Sequence, residues 1–213
     1  MNEQDIDIPC PVCSVSGQVK MISHIDEIPY FGEHTQVTLL CDACGWRQTD
    51  FIPAEGKKAG AWSMVIDSDE KLTARVVRSS SCTVVLPELD LQVNPGTSAT
   101  GYVSNVEGVL QRFREVIDMV ERDLLSDVEA LDEGTRTTVT EHLATLQGMK
   151  LAIGQLGNPE SNPLTLVLLD PHGHSMILHP EAKERDLTEE EIGVLPVGPD
   201  PAVFSSDEVE PSS

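Results

Sequence analysis

Two pairs of cysteines, Cys10-Pro11-Val12-Cys13 and Cys41-Asp42-Ala43-Cys44, define the chemistry most open to this chain. Two residues between thiols let both sulfurs of a pair reach one ion. Two such pairs complete a tetrahedral zinc site with metal–sulfur distances of about 2.3 Å. Four thiolates leave no open position for a substrate, so the expected role is structural, with one zinc per chain. Residues 14 to 40 separate the pairs, more than the usual spacing of roughly 15 to 20 residues. The intervening chain must therefore form a hairpin of its own, with arms over residues 18–25 and 36–40 and a bend at Pro29-Tyr30-Phe31-Gly32. A disulfide pairing of the same cysteines would suit a secreted chain. The acidic opening Met1-Asn2-Glu3-Gln4-Asp5 does not read as a secretory signal. The fifth cysteine, Cys82, stands in a strand-like stretch and reads as a small buried core residue.

Two other groups of side chains invite a chemical reading. His172-x-His174 with His179 offers imidazoles to a transition metal, as in a cupin-like metalloenzyme. Pro171 and Gly173 make that stretch a turn, however, and no ordered carboxylate and third histidine follow. The expectation is imidazoles that face solvent or cap backbone groups. No Gly-x-Ser-x-Gly and no glycine-rich phosphate loop is present, which argues against a hydrolase or a nucleotide enzyme. Tyr30 and Phe31 form an aromatic pair at the hairpin bend of a chain with only 4% aromatics. They are a candidate partner-binding anchor, or else they pack against the neighbouring β segments.

Charge narrows the partners. The chain carries 14 Lys and Arg against 36 Asp and Glu, a formal net charge of −22. The surplus runs throughout: residues 1–58 hold four basic against nine acidic side chains, and residues 105–156 hold five against ten. A zinc-ribbon transcription factor or RNA-polymerase-associated ribbon needs clustered Lys and Arg for phosphate contacts. Around these cysteines only Lys20, Arg47, Lys57 and Lys58 are available. Direct nucleic-acid binding is not expected. The acidity also fits a salt-rich cytoplasm, where repulsion is screened. The longest plain apolar stretch, residues 164–169, is far short of the about 20 residues a bilayer requires. The expectation is a soluble, cytoplasmic protein with no membrane contact.

The elements that must position these groups follow from the hydrophobic period. Short Val-rich segments at 61–66, 72–78 and 83–86, separated by polar breaks such as Ser79-Ser80-Ser81, read as antiparallel strands. Residues 89–93 alternate as a further strand behind Pro87, which favours an edge or bulge. Ser104-Asn105-Val106-Glu107 matches a capping box. Val106, Leu110, Phe113, Ile117, Val120 and Leu124 then recur at helical spacing. After a break at Asp132-Glu133-Gly134, a second stripe runs through Val139, Leu143, Leu146, Met149, Ile153 and Leu156 and stops at Gly157-Asn158-Pro159. These helices form an αα-hairpin. Residues 164–169 read as a strand apolar on both faces, and residues 175–179 as another. The predicted architecture is α+β: a four-cysteine zinc ribbon over residues 1–52, then an antiparallel β domain over 53–180 with the helical hairpin inserted at about 105–157. Residues 181–213 form an acidic C-terminal extension, with ten acids against two bases, largely disordered from about residue 197.

Taken together, several stretches resemble the ZPR-one zinc-finger family. They are Cys10-Pro11-x-Cys13, Ile28-Pro29-Tyr30-Phe31-Gly32-Glu33, Cys41-x-x-Cys44-Gly45-Trp46-Arg47, Arg75-Val76-Val77-Arg78-Ser79, Leu86-Pro87-Glu88-Leu89, Val106-Glu107-Gly108 and Leu169-Asp170-Pro171-x-Gly173-x-Ser175. Their order is the family's order, and the match covers roughly residues 8–180. The resemblance implies a β domain of double-stranded β-helix type. It implies no catalysis, and it implies a chaperone that binds translation elongation factor 1-alpha and assists its folding. In the same way it marks Pro29, Gly45, Arg75, Ser79, Pro87, Glu88, Leu89, Glu107, Gly108, Asp170, Pro171, Gly173 and Ser175 as signature positions. Eukaryotic members carry the module twice, so the one copy here resembles the archaeal form. Ser14 stands where the family commonly has glycine, and Thr49-Asp50 replaces a polar-Glu pair.

Overall fold

The computed structural model describes residues 2–28, 32–53, 58–96, 99–126, 133–158 and 160–196. The N-terminal region is a four-stranded antiparallel sheet in chain order: β1 (Asn2–Ile6), β2 (Val19–Ile28), β3 (Gly32–Cys41) and β4 (Arg47–Pro53). The expected hairpin is present and longer than its apolar arms. β2 and β3 pair without a break from Val19↔Cys41 to Ile28↔Gly32. Asp26, Glu27 and Glu33 are exposed along the outer half, where the one side chain buried among the described residues is the polar His34, against Phe51, so that half carries no apolar pattern for a sequence to display. Pro29, Tyr30 and Phe31 lie outside the described residues.

Two further antiparallel sheets follow. A five-stranded sheet has the order β12 (Lys183–Asp186), β5 (Gly60–Ile66), β10 (Leu164–Asp170), β7 (Thr83–Leu86), β8 (Leu91–Val93). A three-stranded sheet has the order β11 (Met176–Leu178), β6 (Arg75–Arg78), β9 (Tyr102–Asn105). One core joins them, with Met64 and Ile66, Val84 and Leu86, and Leu164, Leu166 and Leu168 from the larger sheet meeting Val76 and Ile177 from the smaller. Each such side chain contributes about 1.5–3 kcal/mol of burial. β10 alternates strictly, its even positions buried. On its other face Leu169 packs with Leu187 and Leu195, which is why the strand is apolar on both sides.

The helical hairpin consists of α2 (Val106–Ser126) and α3 (Glu133–Gly154). Val106, Val109, Leu110, Phe113 and Ile117 bury the first stripe against the sheets, with Ile153 and Leu156 from the end of the second. Burial fades toward the far end, where Val120 is exposed. There Lys150 of α3 holds Asp118 and Glu121 of α2 in ion pairs.

Several local expectations need correction. Residues 72–78 are not one strand: a single helical turn, α1 (Asp69–Leu72), precedes β6. Its Lys71 is buried between Asp67 (2.9 Å) and Glu181 (2.7 Å), which anchors the turn. Residues 89–93 are not one strand either. Pro87, whose ring presets φ, opens a 3-10 turn over Pro87–Leu89, and Asp90 is left-handed (φ 51°) before β8. The cap of α2 is Asn105 rather than Ser104: its Oδ1 accepts from the Gly108 N–H at 2.8 Å, the N3 bond expected of a capping residue. Gly134 lies inside the first turn of α3 instead of breaking a helix, and residues 127–132 are outside the described set. In the region assigned to the acidic extension, β12 pairs with β5 through Lys183↔Ser63 to Asp186↔Gly60, and α4 (Glu189–Val194) follows. Residues 197–213 are outside the described set.

Candidate metal centre and the buried seam

The knuckles close at the end of the ribbon where β2 begins and β3 ends. In the first, the Ser14 N–H donates to the Cys10 carbonyl at 2.8 Å; in the second, the Gly45 N–H donates to the Cys41 carbonyl at 2.8 Å. Both residues are left-handed, Ser14 at φ 59° and Gly45 at φ 74°. The knuckle thus keeps its turn although serine replaces glycine, at a backbone cost on the order of 1 kcal/mol. The Sγ of Cys10 lies 3.7 Å from that of Cys44, and the Sγ of Cys13 lies 3.8 Å from that of Cys41. All four sulfurs lie within 4.8 Å of one another. A tetrahedron with metal–sulfur bonds of about 2.3 Å has edges of about 3.8 Å, whereas a disulfide requires about 2.0 Å. The four cysteines are therefore positioned to bind a metal ion.

Their protons are unequally held. Burial raises the Cys10 thiol, but the amides of Cys13 and Val12 and the neighbouring thiols outweigh it and bring it down to about 7. At Cys44 the Trp46 amide lowers the thiol, yet burial and the other three thiols push it up to about 12. Four thiols this close cannot all ionise unaided; a dication bound among them supplies the missing charge. Val19 and Leu39 complete the small core around them, with Ile6, Ile8, Met21 and Trp46 partly buried against it.

A second cluster of polar side chains is buried where ribbon and β domain meet. Asp170, 1% exposed, accepts from the hydroxyls of Ser79 (2.8 Å), Ser81 (2.7 Å) and Ser175 (2.6 Å) and from the His172 amide (3.0 Å). Ser175 in turn accepts from the Ser79 amide at 2.9 Å. Burial raises the Asp170 carboxyl, but these donors hold it below the usual carboxylate range. Beside it, Asp50 of β4 accepts from the Ser80 amide (3.1 Å) and hydroxyl (2.5 Å). The Gly101 amide donates to the Thr49 carbonyl at 2.7 Å. A Cβ on Gly101 would stand 2.8 Å from Asp50 Oδ1, so glycine is what lets the ribbon approach. Arg78 donates to the carbonyls of Cys82 (2.8 Å) and Thr100 (3.2 Å). Cys82 is fully buried, and burial together with Asp170 pushes its thiol up to about 12.

At the histidine turn both imidazoles are half-buried. The Nδ1 atoms of His172 and His174 are buried without a hydrogen-bond partner, and the rings lie 6.0 Å apart. The turn satisfies its own backbone, through Gly173 N–H to the Asp170 carbonyl at 3.1 Å and His172 N–H to the Asp170 carboxylate. Burial pulls the His174 pKa down, with Asp170 and Asp50 opposing.

The signature positions divide among these places. Gly45 turns the second knuckle. Ser79, Asp170, Gly173 (φ 70°) and Ser175 build the seam, with Pro171 inside its turn. Glu88, between Pro87 and Leu89, takes the amide (2.9 Å) and hydroxyl (2.6 Å) of Thr165 and so ties the 3-10 turn to β10. A Cβ on Gly108 would meet Ser104 Oγ at 2.3 Å. Arg75 and Glu107 are exposed. Pro29, Tyr30 and Phe31 are outside the described residues. The sequence reading missed Asp50, Ser80, Ser81, Arg78 and Gly101. Period two would have separated Arg78 from Arg75, since residues three apart on a strand face opposite sides.

The family model for the ZPR1 jelly-roll domain matches residues 70–193, which hold the three-stranded sheet, the helical hairpin and every strand of the five-stranded sheet except β5. The chain belongs to the ZPR1 family. It is 38% identical over 190 residues to a ZPR1-like protein of Pyrococcus horikoshii, covering 89% of this chain and 80% of that protein. To the zinc finger protein ZPR1 of Bos taurus it is 27% identical over 185 residues, 85% of this chain but 37% of the bovine protein. To the zinc finger chaperone zpr1 of Schizosaccharomyces pombe it is 30% identical over 106 residues, 47% of this chain and 22% of the yeast protein. This ZPR1 chain is thus a single-module, archaeal-type member. The ZPR1 relatives are named zinc finger proteins and a chaperone, and the four-cysteine cluster matches the first of those names.

Proposed function

We propose that this ZPR1 chain is a non-catalytic zinc protein of the cytoplasm that binds translation elongation factor 1-alpha and assists its folding. One structural zinc is held by Cys10, Cys13, Cys41 and Cys44. The observation that carries the reading is how the polar side chains are used. The thiols converge on one closed centre, and the serine hydroxyls of the seam, at most 1% exposed, all donate to Asp170 or Asp50. Groups so enclosed organise a scaffold and are withheld from a substrate. The yeast relative's name, a zinc finger chaperone, supports a protein client, and the family resemblance supplies its identity. No described helix is long and apolar enough to cross a membrane.

In this reading the ribbon (residues 1–52) and the β domain (53–180) act together, the 181–213 extension lies beyond them, and Tyr30 and Phe31 at the hairpin bend supply a client anchor. A net charge of −22 repels phosphate, so the contact is protein to protein without an RNA bridge. Affinity purification of the zinc-loaded chain from its own cytosol after nuclease treatment should retain elongation factor 1-alpha as salt is raised. Tyr30→Ala with Phe31→Ala should weaken that capture without changing the melting temperature. Loss of the factor on nuclease digestion, or recovery of polymerase subunits in its place, would overturn the reading.

A further inference from the structure

A cavity of 410 Å³ opens between α2 and the free edge of the five-stranded sheet. Val84 and Val93 from the sheet and Phe113, Val116 and Met119 from α2 make its walls apolar. Val116 and Met119 are 39% and 51% exposed, and Val120, one helical step on, is 39% exposed. The apolar wall therefore continues onto the surface as a stripe at helical spacing. Methionine on such a rim lets the surface adapt to its partner.

At one side the groove turns cationic. Arg78 and Arg112 flank Tyr102, with guanidinium carbons 5.7 and 4.1 Å from the ring centre. Arg78 is committed to two carbonyls. Arg112 has no hydrogen bond or ion pair among the described residues, although acids outnumber bases 36 to 14. Lys20, Lys71, Lys150 and Arg185 each hold a carboxylate, whereas Arg47, Arg75 and Lys183 hold none among the described residues and are exposed, so what sets Arg112 apart is its place against Tyr102 in the groove wall. Stacking on Tyr102 restrains Arg112 while leaving its N–H groups for a planar anion. Glu115 also lines the groove and disfavours a second carboxylate.

We infer that this groove receives a segment of a partner protein in which a large apolar side chain stands next to a single carboxylate. The carboxylate meets Arg112, and the apolar side chain lies between Phe113 and Met119. The inference rests on the proposed client-binding function and supplies that function with a second surface, distinct from the hairpin bend. Charge complementarity within an otherwise acidic molecule carries it.

The test uses the zinc-loaded full chain and the peptide acetyl-Gly-Leu-Phe-Glu-Gly-amide, followed by NMR of the Met119 and Val93 methyl groups. The peptide should shift both. Its Glu→Gln counterpart should bind at least fivefold more weakly, and Arg112→Glu should weaken the original peptide at least tenfold with an unchanged melting temperature, since Arg112 is exposed. Glu115→Gln should tighten it. Equal binding of the two peptides, or shifts confined to other methyls, overturns the inference. Elongation factor 1-alpha is then titrated separately. If it binds the wild type and both Arg112→Glu and Met119→Asp alike, the groove is not the client surface, while the proposed function stands. If it does not bind the wild type, the proposed function fails and the peptide result alone decides the groove. Tighter occupation by a peptide of residues 197–213 would assign the groove to the chain's own terminus and overturn a partner role.

Discussion

The ribbon and the β domain solve the problem of folding with different materials. Among the described residues, the cluster around the ribbon's cysteines buries four side chains, Cys10, Val19, Leu39 and Cys41, two of them thiols, and Val37 is buried farther along β3. The β domain encloses eighteen in one cluster. A core of four residues cannot offset the conformational entropy of ordering some fifty, at roughly 1–2 kcal/mol each for the backbone alone. The ribbon is therefore expected to depend on an ion held by its four cysteines, whereas the β domain can fold on apolar burial. What joins them is polar: Asp50 of the ribbon enters the β domain and is received by Ser80. Stability in one region can thus be lost without the other, and the seam determines how far the loss spreads.

The sharpest way to break this comparison is to remove the metal. Cys41→Ser, or a chelator, should unfold the ribbon and leave the β domain melting cooperatively, because structural zinc contributes about 10–16 kcal/mol of apparent binding energy. The two tryptophans, Trp46 in the ribbon and Trp62 in the β domain, separate the readouts. With Trp62→Phe the fluorescence transition of Trp46 should vanish on chelation. An unchanged Trp46 transition in metal-free protein would refute the division of labour.

Asp170→Asn reverses the test by striking the β domain. It replaces an anion that accepts four hydrogen bonds with an amide that must also place two donors, at a cost on the order of 3 kcal/mol. The Trp62 melt should fall while zinc remains bound. Acid should act in the same direction. His174 has a folded pKa below its unfolded value of about 6.5, so the stability it contributes is complete above that pH and is lost as pH falls toward the folded value. Asp170 is depressed below its unfolded value of about 3.9, so its contribution is lost at still lower pH. Two successive losses are expected in the wild type, the first below about pH 6.5. His174→Phe should abolish the first, and Asp170→Asn should diminish the second, to which Glu88, raised by its partial burial but held low by Thr165, also contributes. A β-domain stability flat from pH 7 to pH 5 would exclude the first step.

The smallest effect is expected at the joint. Asp50→Asn should lower stability by about 1–2 kcal/mol and speed exchange of the Ser80 amide, whose acceptor is Asp50. The Trp46 and Trp62 transitions should then separate by a few degrees in zinc-loaded protein. Transitions that stay coincident would show that the backbone bond from Gly101 to Thr49 suffices to couple the regions.

Much of this could be read along the chain because its determinants are local. Cys-x-x-Cys brings two sulfurs together within one turn, and the stripes from Val106 and Val139 report a helix through neighbours three and four residues apart. The strand at 164–169 announced itself by its apolar run. The metal site, the helical hairpin and the β character of the remainder were determined at this level. The buried seam was not. Asp170 meets Ser79 across 91 residues and Asp50 meets Ser80 across 30, and serine and aspartate are the residues that ordinarily mark turns. Ser79-Ser80-Ser81 accordingly reads as a polar break, although all three are buried. β12 pairs through exposed, charged residues that leave no apolar period, and the groove beside Arg112 exists only once α2 lies against the sheet. Hydrogen bonds between distant segments use common side chains and impose no spacing on either one, so only the packed tertiary structure decided which carboxylates are buried, what receives them, and how the four-cysteine ribbon is joined to the domain behind it.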